Sequence, residues 1–113
     1  MSSKHRVALT TAGSAEQAKS LAQELVRRRL AACVNVVPGV CSFYRWKGEL
    51  VEEGERLLVI KTDAGRLEDL QAAIRELHSY ETPELIVLEV AGGDPAYLAW
   101  VDASLAGDDK PEG

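Results

Sequence analysis

Four side chains in this sequence are strong metal ligands: His5, Cys33, Cys41 and His78. Thiolates suit Cu(I) and zinc, and imidazole suits copper, zinc and nickel. None of the four stands at a standard local ligand spacing, so any site built from them must be assembled by folding or by subunits. His78 has the richest surroundings. It lies in LHSYETPE, residues 77–84, with Tyr80, Glu81 and Glu84 nearby and Pro83 just before an apolar run. Two readings compete there. An imidazolium near a helix C-terminus is stabilised by the free carbonyls, which makes His78 part of a helix exit. A histidine with nearby carboxylates and a thiol brought in by the fold would instead hold Cu(II) or another divalent ion. Cys33, in LAACVNV, reads on its own as a small buried hydrophobe where a helix meets a strand. Cys41 lies in a bent strand, exposed or at an interface, and His5 is expected to be solvated near the terminus.

Other chemistries have little support. No Ser-His-Asp set, nucleophile–base pair or paired-acid signature is recognisable, so an enzyme is not expected. No Gly-rich phosphate loop is present: Gly48 and Gly54 fall in a hairpin, and Gly92-Gly93 begin a loop before Asp94. The net charge of −5 argues against nucleic acid as a partner. The basic cluster Arg27-Arg28-Arg29 falls near a helix end, where the dipole favours cations. No apolar run is long enough to span a membrane, and the start MSSKHRVALTTAG has no secretory h-region. The two cysteines make neither a CxxC pair nor a disulfide framework. A reduced, cytoplasmic protein is the expectation.

The elements that must position these groups follow from periodicity. The 113 residues are one domain's worth, 46% hydrophobic and 27% charged. HRVALTTA (5–12) reads as a strand. Ser14 and Gln17 fit a reciprocal capping box, and Ala18, Leu21, Ala22, Leu25 and Val26 give the following helix one apolar face. Residues 34–46 and 49–62 read as two antiparallel strands joined at Lys47-Gly48, with a bulge or bend at Pro38-Gly39. Asp63 is expected to cap a helix whose stripe is Leu67, Leu70, Ile74 and Leu77, ending before Pro83. ELIVLEV (84–90) reads as a strand. A last helix opens with Asp94 and Pro95 and closes at Gly107, and the polar tail GDDKPEG (107–113) is expected to fray. The order strand, helix, strand, strand, helix, strand matches the α+β, ferredoxin-like βαββαβ sandwich with an added C-terminal helix.

Two features do not suit a monomer. Leu57–Ile60 and Leu85–Leu88 are apolar in succession, so both faces of their strands read as buried, although helices cover only one face of such a sheet. The hairpin strands, of roughly 13 residues, would each span about 40 Å and project beyond the domain with Phe43, Tyr44 and Trp46. Exposed edges of that kind need a cover. An obligate homo-oligomer is expected, and three sheets closed around one axis would bury the second faces well.

RLAACVNVVPGVCSFYRWKGELVEEGERLLVIKT, HSYETPELIVLEV and GDPAYLAWV together resemble the CutA family of divalent-cation tolerance proteins, over about residues 7–105 of a single domain spanning 1–113. The resemblance implies a homotrimer, similar in architecture to the PII signalling proteins, whose hairpins pair between subunits. It implies a copper and divalent-cation tolerance role, with Cu(II) or another divalent cation bound weakly and exchangeably. His78 matches the family's histidine before Thr-Pro-Glu, a proposed copper ligand, with Cys33 the next candidate and Glu84 the third. Some bacterial relatives carry a second histidine where this chain has Leu77, and a cysteine where it has Thr10. The alternative is a PII-like regulatory or scaffold trimer that binds a small molecule or protein between subunits. Tyr80, Glu84 and Trp46 would then matter more than Cys33.

Overall fold

The computed structural model describes residues 3–107. Strand β1 (His5–Ala12) turns Ala8, Thr10 and Ala12 to one face, where all three are fully buried. It sits centrally in a four-stranded antiparallel sheet of order β2-β3-β1-β4, with β2 at Cys33–Trp46, β3 at Glu49–Asp63 and β4 at Ile86–Glu89. Helices α1 (Ala15–Arg27) and α2 (Leu67–Leu77) lay Leu21, Leu25, Leu70 and Ile74 on Ala8, Leu58 and Ile60, which makes the main core. This is the ferredoxin-like arrangement expected from the order of elements. The apolar face of α1 is narrower than its spacing implied, because Val26 stays exposed.

The long hairpin is present in full. Lys47 and Gly48 both take positive φ, 50° and 82°, as the mirror-image hairpin turn requires. The register slips between Val37 and Val40, where Gly39 adopts φ 76°, so the bend at Pro38-Gly39 is a bulge. The projecting arm stretches the molecule to 51 × 32 × 25 Å. Opposite the two helices, β4 leaves Ile86 51% and Leu88 48% exposed, aligned with Leu9 and Val7 of β1.

Helix α3 (Pro95–Ala106) has the expected Asp94 cap, which accepts from the Tyr97 amide, and ends at Gly107 with φ 86°. It seats Val101 and Leu105 on Ala32. Arg29 and Arg66 donate to the carbonyls of Ser104 (2.8 Å) and Leu105 (2.7 Å) and so hold its end. The remainder of the polar tail, residues 108–113, lies outside the described residues.

Four local expectations change. Asp63 does not cap α2: a 3-10 turn, Ala64–Arg66, intervenes, and the Asp63 carboxylate accepts from Arg66 at 3.0 Å. Ser14 does accept from the Gln17 amide, but the Gln17 side chain does not return to Ser14. It spans to the end of α2, donating to the Leu77 carbonyl and accepting from the Ser79 amide. The last strand is shorter than 84–90, because the Thr10 hydroxyl takes the Glu84 carbonyl (2.6 Å) and pairing with β1 begins only at Ile86. His5 is not solvated: its ring is 12% exposed and bonds Asp102 of α3 through Nε2 at 2.8 Å.

Candidate functional site

The turn that follows α2 is built around His78. Helix α2 ends at Leu77, and His78 is its extended C-cap, 8% exposed. The Tyr80 amide donates to Nδ1 at 3.0 Å, which fixes that nitrogen as an acceptor. Nε2 therefore carries the ring proton and donates to the Thr11 carbonyl at 2.6 Å. The ring is neutral in this arrangement, and both of its nitrogens are engaged in tying the turn to the end of β1. The imidazolium expected at the helix end is thus replaced by a neutral fastener.

Tyr80 is the residue that this fastener positions. Its ring lies 4.6 Å from that of His78, and its hydroxyl donates to Glu55 of β3 at 2.9 Å. Gly13 makes the approach possible, because a Cβ there would stand 2.8 Å from the Tyr80 hydroxyl. Burial, and then the bond to Glu55, raise the Tyr80 phenol well above the usual tyrosine range, so it stays protonated. On the hairpin, Tyr44 donates to Glu53 at 2.7 Å, and that bond raises its phenol in the same way.

These groups line a cleft of about 660 Å³ between the hairpin and the 80–84 segment. Its walls include Tyr44, Trp46, Glu53, Glu55, Tyr80 and Glu84, and no lysine, arginine or histidine. Glu84 is raised above the usual carboxylate range by burial and then by the charge of Glu55. The cleft sets the carboxyl groups of Glu53, Glu55 and Glu84 beside aromatic side chains.

The residues singled out from the sequence fall in different places. Glu84 lines the cleft, and His78 stands behind it, holding Tyr80. Cys33 is elsewhere: it pairs with Lys61, whereas Thr11, the carbonyl partner of His78, pairs with Leu57. Four residues of β3 separate those levels, about 13 Å. Cys33 lies beside Tyr97 of α3, whose phenol is raised by burial and then by the Cys33 sulfur. Among the described residues no three His, Cys, Asp or Glu side chains are grouped to hold a metal ion. His78 gains a free lone pair only by releasing a bond of the turn. Thr10 is fully buried, and Leu77 packs partly against the core. Cys41 is exposed, and both cysteines are free.

Sequence reasoning missed Glu55 and Gly13. A signal for Glu55 existed, since alternation sets Glu53 and Glu55 on the same face as Leu57 and Val59, a strange place for acids without partners. Gly13 had no local signal, because what it accommodates arrives from the far end of α2. Sequence reasoning also saw no Ser-His-Asp set, yet Ser3 Oγ lies 2.8 Å from His5 Nδ1, with Asp102 on Nε2. Ser3 Oγ accepts from the His5 amide as well (3.0 Å), which makes the trio a clasp between the chain start and α3.

The family model described as CutA1 divalent ion tolerance protein matches residues 6–104. The chain belongs to the CutA1 family. It is 46% identical over 95 residues to the divalent-cation tolerance protein CutA of Thermus thermophilus, covering 84% of this chain and 92% of that one. The crystal structure of CutA from Xylella fastidiosa superposes with a TM-score of 0.89 at 35% identity, covering 91% and 99% of the two chains. The periplasmic divalent cation tolerance protein CutA of Archaeoglobus fulgidus superposes with a TM-score of 0.87 at 31% identity, covering 89% and 98%. The family is named for tolerance of divalent ions, not for a catalysed reaction. No helix among the described residues is long and apolar enough to cross a membrane.

Proposed function

We propose that this chain serves divalent-cation tolerance as a cytoplasmic homotrimer that binds the cation weakly, Cu(II) among the candidates. The observation that carries the reading is the crowding of Glu84 by Glu55 in one cleft. A carboxyl whose ionisation is opposed by burial and then by a neighbouring negative charge gains when a divalent cation enters beside it. Glu84 is the member of the expected ligand set best placed to act, with Glu55 beside it. His78 joins only on releasing the Thr11 carbonyl or the Tyr80 amide, and Cys33 only if association of subunits brings it there. The binding is weak for that reason. The open apolar face of β4 supports the homotrimer, and the two free cysteines suit a reducing compartment.

A second reading is a PII-like regulatory or scaffold trimer. It is favoured by one fact: Tyr80, Glu84 and Trp46 line the same cleft.

Calorimetric titration of Cu(II) and Mg²⁺ tests the first reading, on samples of matched oligomeric mass. Glu84→Gln is expected to weaken binding about tenfold and Cys33→Ser to leave it unchanged. Binding that ignores Glu84→Gln and Glu55→Gln alike removes the cleft from the metal reading.

A further inference from the structure

The cleft has a second property that a metal ion does not use. Beside its carboxylates stand the rings of Tyr44, Trp46 and Tyr80. Its volume, about 660 Å³, is far larger than a metal ion and its inner waters need, and it falls within the range of small-molecule sites, roughly 300–1,000 Å³. We infer that the cleft binds an organic ammonium ion, a cation that carries alkyl groups, through the ring faces of Tyr44, Trp46 and Tyr80 and the carboxylates of Glu55 and Glu84.

The division of labour among the side chains supports this. A bare divalent ion needs several oxygens at inner-sphere distance, six or more for calcium or magnesium. Glu53 and Glu55 have each committed an oxygen to a phenol, at 2.7 and 2.9 Å. Those bonds detract from a coordination shell and do not detract from an ammonium site. An alkylammonium needs no lone-pair geometry. It is held by the negative field and by contact with electron-rich ring faces, each such contact contributing about 0.5–2 kcal/mol. A phenol that donates to a carboxylate is polarised toward its ring, so both tyrosines present more negative faces than a free phenol does. Trp46 shows the same preference already: the ammonium of Lys47 stands 5.9 Å from its ring centroid. Tyr80 is held by its contact with the His78 ring and by its hydroxyl's bond to Glu55, so the site is partly formed before a ligand arrives. No lysine, arginine or histidine is among the residues of the single chain that line the cleft, and Lys47 reaches the Trp46 ring from outside that lining.

The inference does not depend on the divalent-cation reading, because it turns on the rings. The probes are tetramethylammonium chloride and its near-isosteric uncharged counterpart tert-butanol, with sodium chloride holding ionic strength constant. In a Trp100→Phe background Trp46 is the single remaining tryptophan, since the chain has two. Its emission should change saturably with tetramethylammonium, at least tenfold more tightly than with tert-butanol. Calorimetry on the unaltered protein should give the same ratio. Trp46→Leu and Glu55→Gln should each weaken ammonium binding about three- to tenfold. An equal response to tert-butanol, or a change no larger than that with sodium chloride, overturns the inference. Mg²⁺ titrated in parallel separates the two readings. Divalent-ion binding, by Mg²⁺ or by Cu(II) in the calorimetry above, without ammonium binding sinks this inference alone, and ammonium binding with neither ion bound sinks the divalent-cation reading alone.

Discussion

Replacing His78 tests whether it fastens the turn or waits for a metal. In His78→Phe an aromatic ring is kept and slightly enlarged, so no cavity contributes and any crowding adds to the loss. The Thr11 carbonyl and the Tyr80 amide lose the partners they had at 2.6 and 3.0 Å. A buried polar group left unpaired costs roughly 1–3 kcal/mol. Tyr80 is only partly buried, so water satisfies its amide in part, and the expected loss of stability is roughly 2–4 kcal/mol for the pair. Two further variants divide that loss. Asn places an oxygen near the position of Nδ1 and keeps the Tyr80 bond, whereas Gln places its amide near Nε2 and keeps the Thr11 bond. Each should recover about half. The assay is urea unfolding at fixed protomer concentration, because association adds to apparent stability, together with hydrogen exchange at the Tyr80 amide, which should quicken in His78→Phe and not in His78→Asn. A loss below about 0.5 kcal/mol with Tyr80 exchange unchanged refutes the fastener. If Cu(II) binding vanished at the same time, His78 would stand as a ligand and not as a support.

Three shorter predictions concern the surroundings of the cleft, and a fourth concerns β4. Gly13→Ala sets a Cβ 2.8 Å from the Tyr80 hydroxyl; it should cost roughly 1–3 kcal/mol in thermal unfolding, and much less in a Tyr80→Phe background, which removes the clashing atom. Thr10→Val deprives the Glu84 carbonyl of its 2.6 Å donor and should cost about 1–2 kcal/mol by urea unfolding. The Glu84 carboxyl is raised in the fold by burial and by Glu55, so the stability tied to its protonated form is present in acid and lost as pH rises through the folded value. Glu84→Gln should therefore raise the melting temperature at neutral pH, with the gain gone below about pH 4; a gain confined to acid contradicts the assignment. Leu88→Lys places a charge on a half-exposed apolar face and should lower the oligomeric mass in sedimentation, whereas an unchanged mass moves the subunit contact off β4.

What the sequence disclosed, it disclosed through signals that act over a few residues. The Asp94–Pro95 start and Gly107 stop of α3, the Lys47-Gly48 turn and the Gly39 bulge are each set by local backbone chemistry, and each appears where its motif stands. Asp63 fails locally, to the 3-10 turn and Arg66 three residues on, but three other misreadings share a long-range cause. Gln17 was expected to serve its own helix start, but the Leu77 carbonyl and Ser79 amide, sixty residues on, offered it partners at the other helix's exit. His5 was expected to face water, but Asp102 comes back from 97 residues later to meet it. His78 reads locally as a helix cap, and only the fold supplies the Thr11 carbonyl, 67 residues away, that accepts from its Nε2 and ties the turn to β1.

The apolar runs carry this logic beyond one chain. Leu85–Leu88 reads as a strand buried on both faces, and in the single chain Ile86, Val87 and Leu88 are all substantially exposed. A strand that carries apolar residues on both sides, while its own fold leaves both substantially open, is written for a partner that one chain does not contain. That mismatch between composition and burial is the physical ground for association of subunits, and it is independent of any ligand. It also bears on the cleft. Alternation along β3 places Glu55 on the same side of the sheet as Leu57 and Val59, the side opposite the helices. Association through β4 would therefore act on the face from which the cleft opens, and ligand affinity and oligomeric state should change together in Leu88→Lys.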